Sequence, residues 1–397
     1  MPFTLGAFLF VYSGSVNKPR IAVSVAFLSN GIAAGSFMVR IPDFKEKIGI
    51  TNSQFGLSLF ILMIGVLVAI KNAGALAAKH GSRTVVIPAT IALALVMFIV
   101  SLTTSYLTFS LALLIFGFTL ATQDISMNAH AIAVEHKYEA RFMSTFHAVF
   151  SIGGLIGALI AGVFAQLQVS LPRHALIVGI PVAAGAIAFR NWWLPASVDI
   201  HPTQKGQKKV SRPKIFWILG ILGFCGQVGE GAAGDWGGIL ARDTFHVSPF
   251  LSAIPYIVFS VTMVIGRLFG DRITTRFSAP VVLSWGGLIS GGGLIVGLIV
   301  GGIQGQIFGW LSLGAGLSIL IPILFSESGR IARENFPGKI APSEGVAMVS
   351  GVAYFGFMAG PPMTGFISSL IGLRWALLIP GVLALILGFA ARPAITR

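Results

Sequence analysis

GVLVAIKNAGALAAKHGSRTVV, residues 65 to 86, and TMVIGRLFGDRITTRFSAPVVL, residues 262 to 283, are one pattern written twice. Each is an apolar run that breaks at a short basic turn and then resumes. Laying the first on the second sets Lys79 on Arg276 and Val85 on Val282, and the same shift sets Thr51 on Ser248 and Asn30 on Gln227. Further along, FSIGGLIGALIAG (150 to 162) falls on AYFGFMAGPPMTG (353 to 365) with a slightly larger shift, as a longer loop would cause. A chain whose second half repeats its first in this way is built from two homologous units.

Composition says what the units are made of. Of 397 residues, 55% are hydrophobic and only 10% charged, against about 25% charged in soluble domains. Twelve segments are long and apolar enough to cross a hydrocarbon core of about 30 Å as helices. They lie near 21–39, 53–73, 84–104, 107–132, 143–166, 174–193, 214–236, 249–269, 280–301, 304–329, 343–370 and 373–391. The runs are continuous and do not alternate with period two, which excludes a transmembrane barrel. The longest polar interruption, PASVDIHPTQKGQKKVSRPK (195–214), separates the segments six from six. The expected fold is an all-α integral membrane protein, with twelve transmembrane helices in two pseudo-symmetric six-helix bundles. Residues 1–194 form the first bundle and 214–397 the second, with a cytoplasmic linker at 195–213. Internal repeats of this kind are the design of secondary transporters, whose substrate site lies near the midplane between them.

A net charge of +14 would suggest nucleic acid in a soluble protein. Here its distribution over the loops decides otherwise. Of the 27 lysines and arginines, only Arg40, Lys45, Lys47, Arg173, Arg242 and Arg374 fall on one side of the predicted helices, and the rest fall on the other. That asymmetry predicts both termini in the cytoplasm of a bacterial-type inner membrane, and it leaves no need for a nucleic-acid partner. The N-terminal FTLGAFLFVYSG lacks a basic flank and a small-residue cleavage site, so it reads as an interfacial tail and not a signal peptide. The single cysteine, Cys225, allows no intrachain disulfide. No Walker A loop, metal-spaced His and Cys cluster or Gly-x-Ser-x-Gly element is present, so neither an enzyme nor a cofactor or metal is expected.

The turn GALAAKHGSR (74–83) carries Gly74, Lys79, Gly81 and Arg83 in the spacing Gly-x-x-x-Asp-Arg/Lys-x-Gly-x-Arg/Lys, with Ala78 at the acidic position. Its counterpart GRLFGDR carries Arg267 and Gly270, with Asp271 and Arg272 restoring an acidic and a basic residue at a shifted position. On these motifs, and over essentially its whole length, the sequence resembles the major facilitator superfamily. DISMNAHAIAVE, FHAVFSIGG, GRLFGD and FMAGPPMTG resemble more narrowly a bacterial fucose-permease-like or sugar-permease-like branch. The resemblance implies two halves that rock about a central cavity lined by helices one, four, seven and ten. It also implies a cytoplasmic gate built on the two turn motifs, and a unit that works as a monomer. FMAGPPMTG resembles a motif that antiporters carry in helix five. Helix five here reads GGLIGALIAG without proline, which argues against a drug antiporter.

A charged side chain in a spanning helix costs at least about 2.5 kcal/mol, so each acidic residue there needs a reason. Four qualify: Asp124, Glu230, Asp235 and Glu327, all on helices that the resemblance places around the cavity. Asp124 and Asn128 are four apart and share a face, continued by Ala131 and Glu135. A carboxylate on a poorly solvating cavity is a group that can bind and release a proton, which makes Asp124 the first candidate for coupling. The competing reading is a permanent pairing that only fixes helix packing. Asn128 could contact a hydroxylated substrate or merely satisfy Asp124.

In GFCGQVGEGAAGDWGG, Gln227, Glu230 and Gly234 lie close to one face, with Glu230 a second proton or substrate site and Asn30 facing the cavity from helix one. Asp235, beside Trp236, reads as an outer gate or an interfacial anchor. Arg40 either draws anions inward at that gate or snorkels to the interface. Glu327 stands three residues before Arg330, where an intrahelical ion pair is the simpler account. His130 and His147 read as packing histidines. The expected function is secondary active transport of a small polar solute, a sugar or related hydroxylated compound by the branch resemblance, in proton symport. The alternatives are proton-driven efflux of a hydrophobic or cationic compound, and a receptor or scaffold that no longer transports.

Overall fold

The computed structural model describes residues 14–139, 142–198, 200, 213–337, 339–340 and 342–395. Among them, twelve helices are long and apolar enough to cross a membrane. The first six are Gly14–Ile48, Asn52–His80, Ser82–Leu102, Tyr106–Tyr138, Met143–Gln166 and Leu171–Ala188. The seventh is Lys214–Asp235, the eighth Ile254–Phe277 and the ninth Ala279–Val300. The last three are interrupted: the tenth is Gly302–Leu317 and Leu320–Asn335, the eleventh Pro342–Ala353 and Phe355–Ile371, and the twelfth Leu373–Ala376 and Leu378–Ile395. Consecutive helices alternate direction, so each short loop lies either on the face that holds both chain ends, called here the terminal face, or on the distal face.

Helix starts follow local chemistry. Thr51 accepts a hydrogen bond from the Gln54 amide while Gln54 Oε1 accepts one from the Thr51 amide, at 3.2 and 3.0 Å, which closes a capping box on the second helix. Ser105 and Thr108 repeat the device on the fourth. Glu135 accepts from the amides of Phe142 and Met143, so its carboxylate ties the end of the fourth helix to the beginning of the fifth.

Helix one runs to Ile48, through Pro42, although its apolar run stops near residue 39 and a proline inside a helix costs about 3 kcal/mol. Its last turns are polar, and ion pairs described below hold them. Helix ten breaks at Ser318, whose carbonyl accepts from Arg267 Nε at 3.3 Å. Broken backbone at membrane depth is tolerated where protein groups satisfy it.

The two halves use the same packing plan. Helix one packs on five, two on four and three on six, while seven packs on eleven, eight on ten and nine on twelve. Small residues make the first of these contacts close. A Cβ on Gly31 would stand 2.1 Å from the Phe150 carbonyl oxygen, and one on Gly35 would stand 2.1 Å from that of Gly154. Without a hydrophobic difference between lipid and helix surface, such backbone approach is what holds membrane helices together. Between the halves, helix two meets eleven and helix five meets eight. These two pairings exchange under the same pseudo-twofold relation.

Candidate functional site: a cavity between the halves

The cavity is formed where the halves diverge. It has a volume of about 330 Å³ and is walled mainly by Phe37, Met38, Leu59, Leu62, Met63, Phe116, Leu120, Phe150, Phe259, Met263 and Phe357. Set into that apolar wall are Glu230, Asp235 and Arg267, with Ser151, Tyr256 and Ser260. Helices one, two, four, five, seven, eight and eleven supply the wall; helix ten, expected there, does not.

The distal end is sealed by contacts between halves. Phe55 meets Trp236 edge to face at 5.5 Å, and the Ser53 hydroxyl donates to the Gly365 carbonyl at 3.2 Å. Above them Asp43 accepts from Arg40 of its own helix and from Arg242 of the other half. Lys45 pairs with Asp243 at 2.7 Å. This latch exists because the chain beyond Asp235 continues as a short helix, Gly237–Ile239, and a π turn, Leu240–Thr244. That extension carries Arg242 about 10 Å above Asp235 at 1.5 Å per residue. Asp235, read from sequence as an outer gate or an interfacial anchor, lies on the cavity wall beneath these contacts, and Arg40 takes part in them.

Nearer the terminal face, on helix four, Asp124 is exposed. Asn128 Nδ2 donates to the Asp124 backbone oxygen and to its carboxylate, at 2.8 and 3.1 Å. Of the two roles considered for Asn128, the geometry shows it engaged with Asp124. Glu230 lies 3.5 Å from Arg267. Sequence reasoning placed Arg267 in the cytoplasmic gate because it opens the GRLFGDR motif. It lines both the cavity and a separate recess with Gly270 and Glu327, and the spacing of two unlike residues 37 positions apart gave no sign of its pairing with Glu230.

The Major Facilitator Superfamily profile matches residues 23–341. An uncharacterized MFS-type transporter of Yersinia pestis is 31% identical over 387 residues, covering 95% of this chain and 96% of that protein. The chain belongs to the major facilitator superfamily. Crystal structures agree on the fold. A nucleoside transporter, NupG, superposes with a TM-score of 0.78 at 14% identity, covering 94% of this chain and 99% of that one. An inward-facing, unoccupied bacterial homolog of the human lysosomal transporter Spinster gives 0.74 at 17% identity, covering 97% and 98%.

In this facilitator the remaining sequence candidates divide sharply. Asn30 Nδ2 donates to Gln123 Oε1 at 3.0 Å and to the Leu120 carbonyl at 3.3 Å, so it is used between helices one and four and not on the cavity. Gln227 is buried outside the cavity wall, with its Oε1 lacking a partner. Glu327 is bound by Arg330 at 2.7 Å, as the spacing predicted, and lines a separate recess shared with Arg267 and Gly270.

A Cβ on Gly270 would stand 2.5 Å from Ile319, so this glycine allows helix eight to lie on helix ten. Arg272 stacks near Phe269, and the Asp271 side chain lies outside the described residues. In the first motif, Gly81 has φ +83° and would bring a Cβ 2.4 Å from the Ala196 oxygen, while Arg83 donates to the Arg190 carbonyl at 2.8 Å. Lys79 and Gly74 are exposed. The motif thus secures the turn to the end of helix six and the start of the linker.

His130 is fully engaged: Ser82 meets Nδ1 at 2.7 Å, the Leu194 amide donates to Nε2 at 3.2 Å, and Trp193 lies edge to face at 4.7 Å. His130→Ala is expected to lower stability by about 2 kcal/mol through the stranded partners while leaving transport rates unchanged. Thermal melting of the purified protein beside a flux assay checks both parts.

Proposed function

We propose that this chain moves a small amphipathic solute across the bacterial inner membrane by alternating access, coupled to protons, with its terminal face in the cytoplasm. The placing of that face follows from the basic loops, and the single chain carries both halves, so it works as a monomer. In this orientation the described state is closed to the outside by the contacts of the distal end. The observation that carries the coupling is the Glu230–Arg267 pair at 3.5 Å in the cavity between the halves. A proton on Glu230 removes the charge that holds Arg267 and so changes the field that the substrate meets in the cavity. Loss of the proton re-forms the pair. Asp124, exposed at the cytoplasmic mouth and steadied by Asn128, stands where a released proton reaches water.

The wall decides between solutes. A bare sugar presents hydroxyls all round its ring, and each needs a partner when desolvated. Phenylalanines, methionines and leucines dominate this wall, and its polar groups are gathered on helices five, seven and eight. A solute with an apolar body and one polar end fits that division. The similarity to a nucleoside transporter supports the fold and not a substrate.

In proteoliposomes, a gradient of one pH unit sustains about tenfold accumulation for one proton per solute. Glu230→Gln is expected to reduce that ratio to one while counterflow, which needs no net proton movement, persists. Asp124→Asn should slow gradient-driven flux. Retained accumulation in both variants would remove the coupling assignment, and absence of any solute movement would favour a receptor or scaffold.

A further inference from the structure

Asp235 is the group in this cavity that the coupling scheme does not use. It sits at the closed end, only 8% exposed, beneath the contact of Phe55 with Trp236. Its carboxylate lies beside the Gly231 position, at 3.7 Å from a Cβ built there, and shares the wall with Met38, Phe37 and Phe357. Among the described residues no donor reaches it and no basic side chain pairs with it. The charges of the wall do not cancel: Glu230 is answered by Arg267, and Asp235 is answered by nothing. A carboxylate so removed from water is stable only when neutralised, either by a proton or by a cation that a ligand brings. The walls around it are phenyl faces and thioethers, which accept a cation's field as well as an apolar body. A volume of about 330 Å³ is at the small end of ligand pockets, which span roughly 300–1,000 Å³.

We propose that Asp235 is the cation-recognising group of this cavity, and that the substrate is a small organic ammonium compound with an apolar body, which exchanges with a proton on that carboxylate. The ammonium group takes the Asp235 oxygens, the proton leaves to cavity water, and the cavity stays electrically balanced in both forms. The phenyl and methionine walls hold the apolar part. Arg267, on the same wall, repels the ammonium group and so turns it toward Asp235. This inference rests on the transport reading for the word substrate, but the site itself does not depend on it.

The experiment is calorimetric titration of the purified full chain with phenethylammonium, cyclohexylammonium and choline, beside 2-phenylethanol and phenylacetate as neutral and anionic counterparts. Heats are compared in buffers of different ionisation enthalpy to count protons released. At least one ammonium probe is expected to bind about tenfold or more tightly than its neutral counterpart, with proton release. Asp235→Asn should abolish the proton release and the preference while leaving any 2-phenylethanol binding in place, and Asp235→Glu should retain charge selectivity.

Ammonium binding that Asp235→Asn leaves unchanged would overturn the proposal, and so would failure of all three cations to bind the folded parent protein. The Asp235→Glu variant guards against a folding defect in the asparagine form. Ammonium binding without movement in proteoliposomes would leave this site standing and remove the transport reading. Coupled transport unaffected by Asp235→Asn would do the reverse.

Discussion

Asp43→Asn is expected to open the protein on its distal face, raising the distal-open population about a hundredfold. Asp43 is the one carboxylate shared by Arg40 and Arg242, and its side chain is only 18% exposed while that of Arg242 is 15% exposed. Removing one partner of a largely buried pair leaves uncompensated charge and costs about 3 kcal/mol or more. Here it leaves two guanidinium groups facing each other across the seam between the halves, with only the exposed Glu46, 3.9 Å from Arg242, to answer them among the described residues. In the alternating-access cycle proposed above, that seam is closed in one conformation and parted in the other, so the cost falls on the distal-closed state alone. At 1.4 kcal/mol per factor of ten, the equilibrium moves by about two orders of magnitude.

Cys225 is the single cysteine and is buried, so spin labels can be placed selectively at Gln168 and Gln304, both exposed on the distal face of opposite halves. Pulsed electron resonance should show the distance between them lengthening in Asp43→Asn. An unchanged distribution would mean that the latch carries no conformational energy. Lys45→Ala is the control, since its partner Asp243 is 42% exposed and such a pair contributes about 1 kcal/mol or less.

Of that latch only Arg40 was singled out in the sequence, and its partners were not legible, whereas the helices the latch joins were. Lipid demands long apolar runs, and it demands them separately of each helix, so the composition of residues 84–104 or 280–301 announces a span with no knowledge of its neighbours. The repeat of residues 65–86 in 262–283 then announces how many halves there are. Contacts between halves leave no such local trace. Asp43 follows a proline that ended the apolar run, and its partner Arg242 stands 199 positions away, on a turn whose π winding no pattern foretold.

The same reasoning separates the site residues. Glu327 and Arg330, three apart on one helix, were readable as a pair. Glu230 and Arg267, on two helices, were not, and the motif that drew attention to Arg267 as part of a gate gave no hint that it also lines the cavity. Asp235, read as an outer gate or an anchor, ends helix seven at the closed end of the cavity and lines its wall, and Asn30, placed on the cavity by the resemblance, is bonded to Gln123.

Gly56→Val should stop transport without unfolding the protein, cutting flux by about a hundredfold. A Cβ on Gly56 would lie 2.5 Å from the carbonyl oxygen of Pro361, and one on Gly365 would lie 2.6 Å from that of Asn52. Helices two and eleven therefore touch backbone to backbone at the distal seal. The obstruction exists only when the distal face is closed. Overpacking at rigid backbone costs about 3 kcal/mol, and the penalty falls on one of the two conformations that a transport cycle must visit.

Gly35 supplies the comparison, because its Cβ would meet the Gly154 oxygen at 2.1 Å, an equally hard contact but one inside a single bundle. Gly35→Val strains both conformations alike, so it should lower the melting temperature and leave the Gln168–Gln304 distance of the surviving folded protein where it was. Gly56→Val should do the opposite, keeping the melting temperature and lengthening the distance. A Gly56→Val protein that still transports at the parent rate, with the parent distance, would show that helices two and eleven slide and do not separate, and the rocking of the halves would have to turn on the contact between helices five and eight instead.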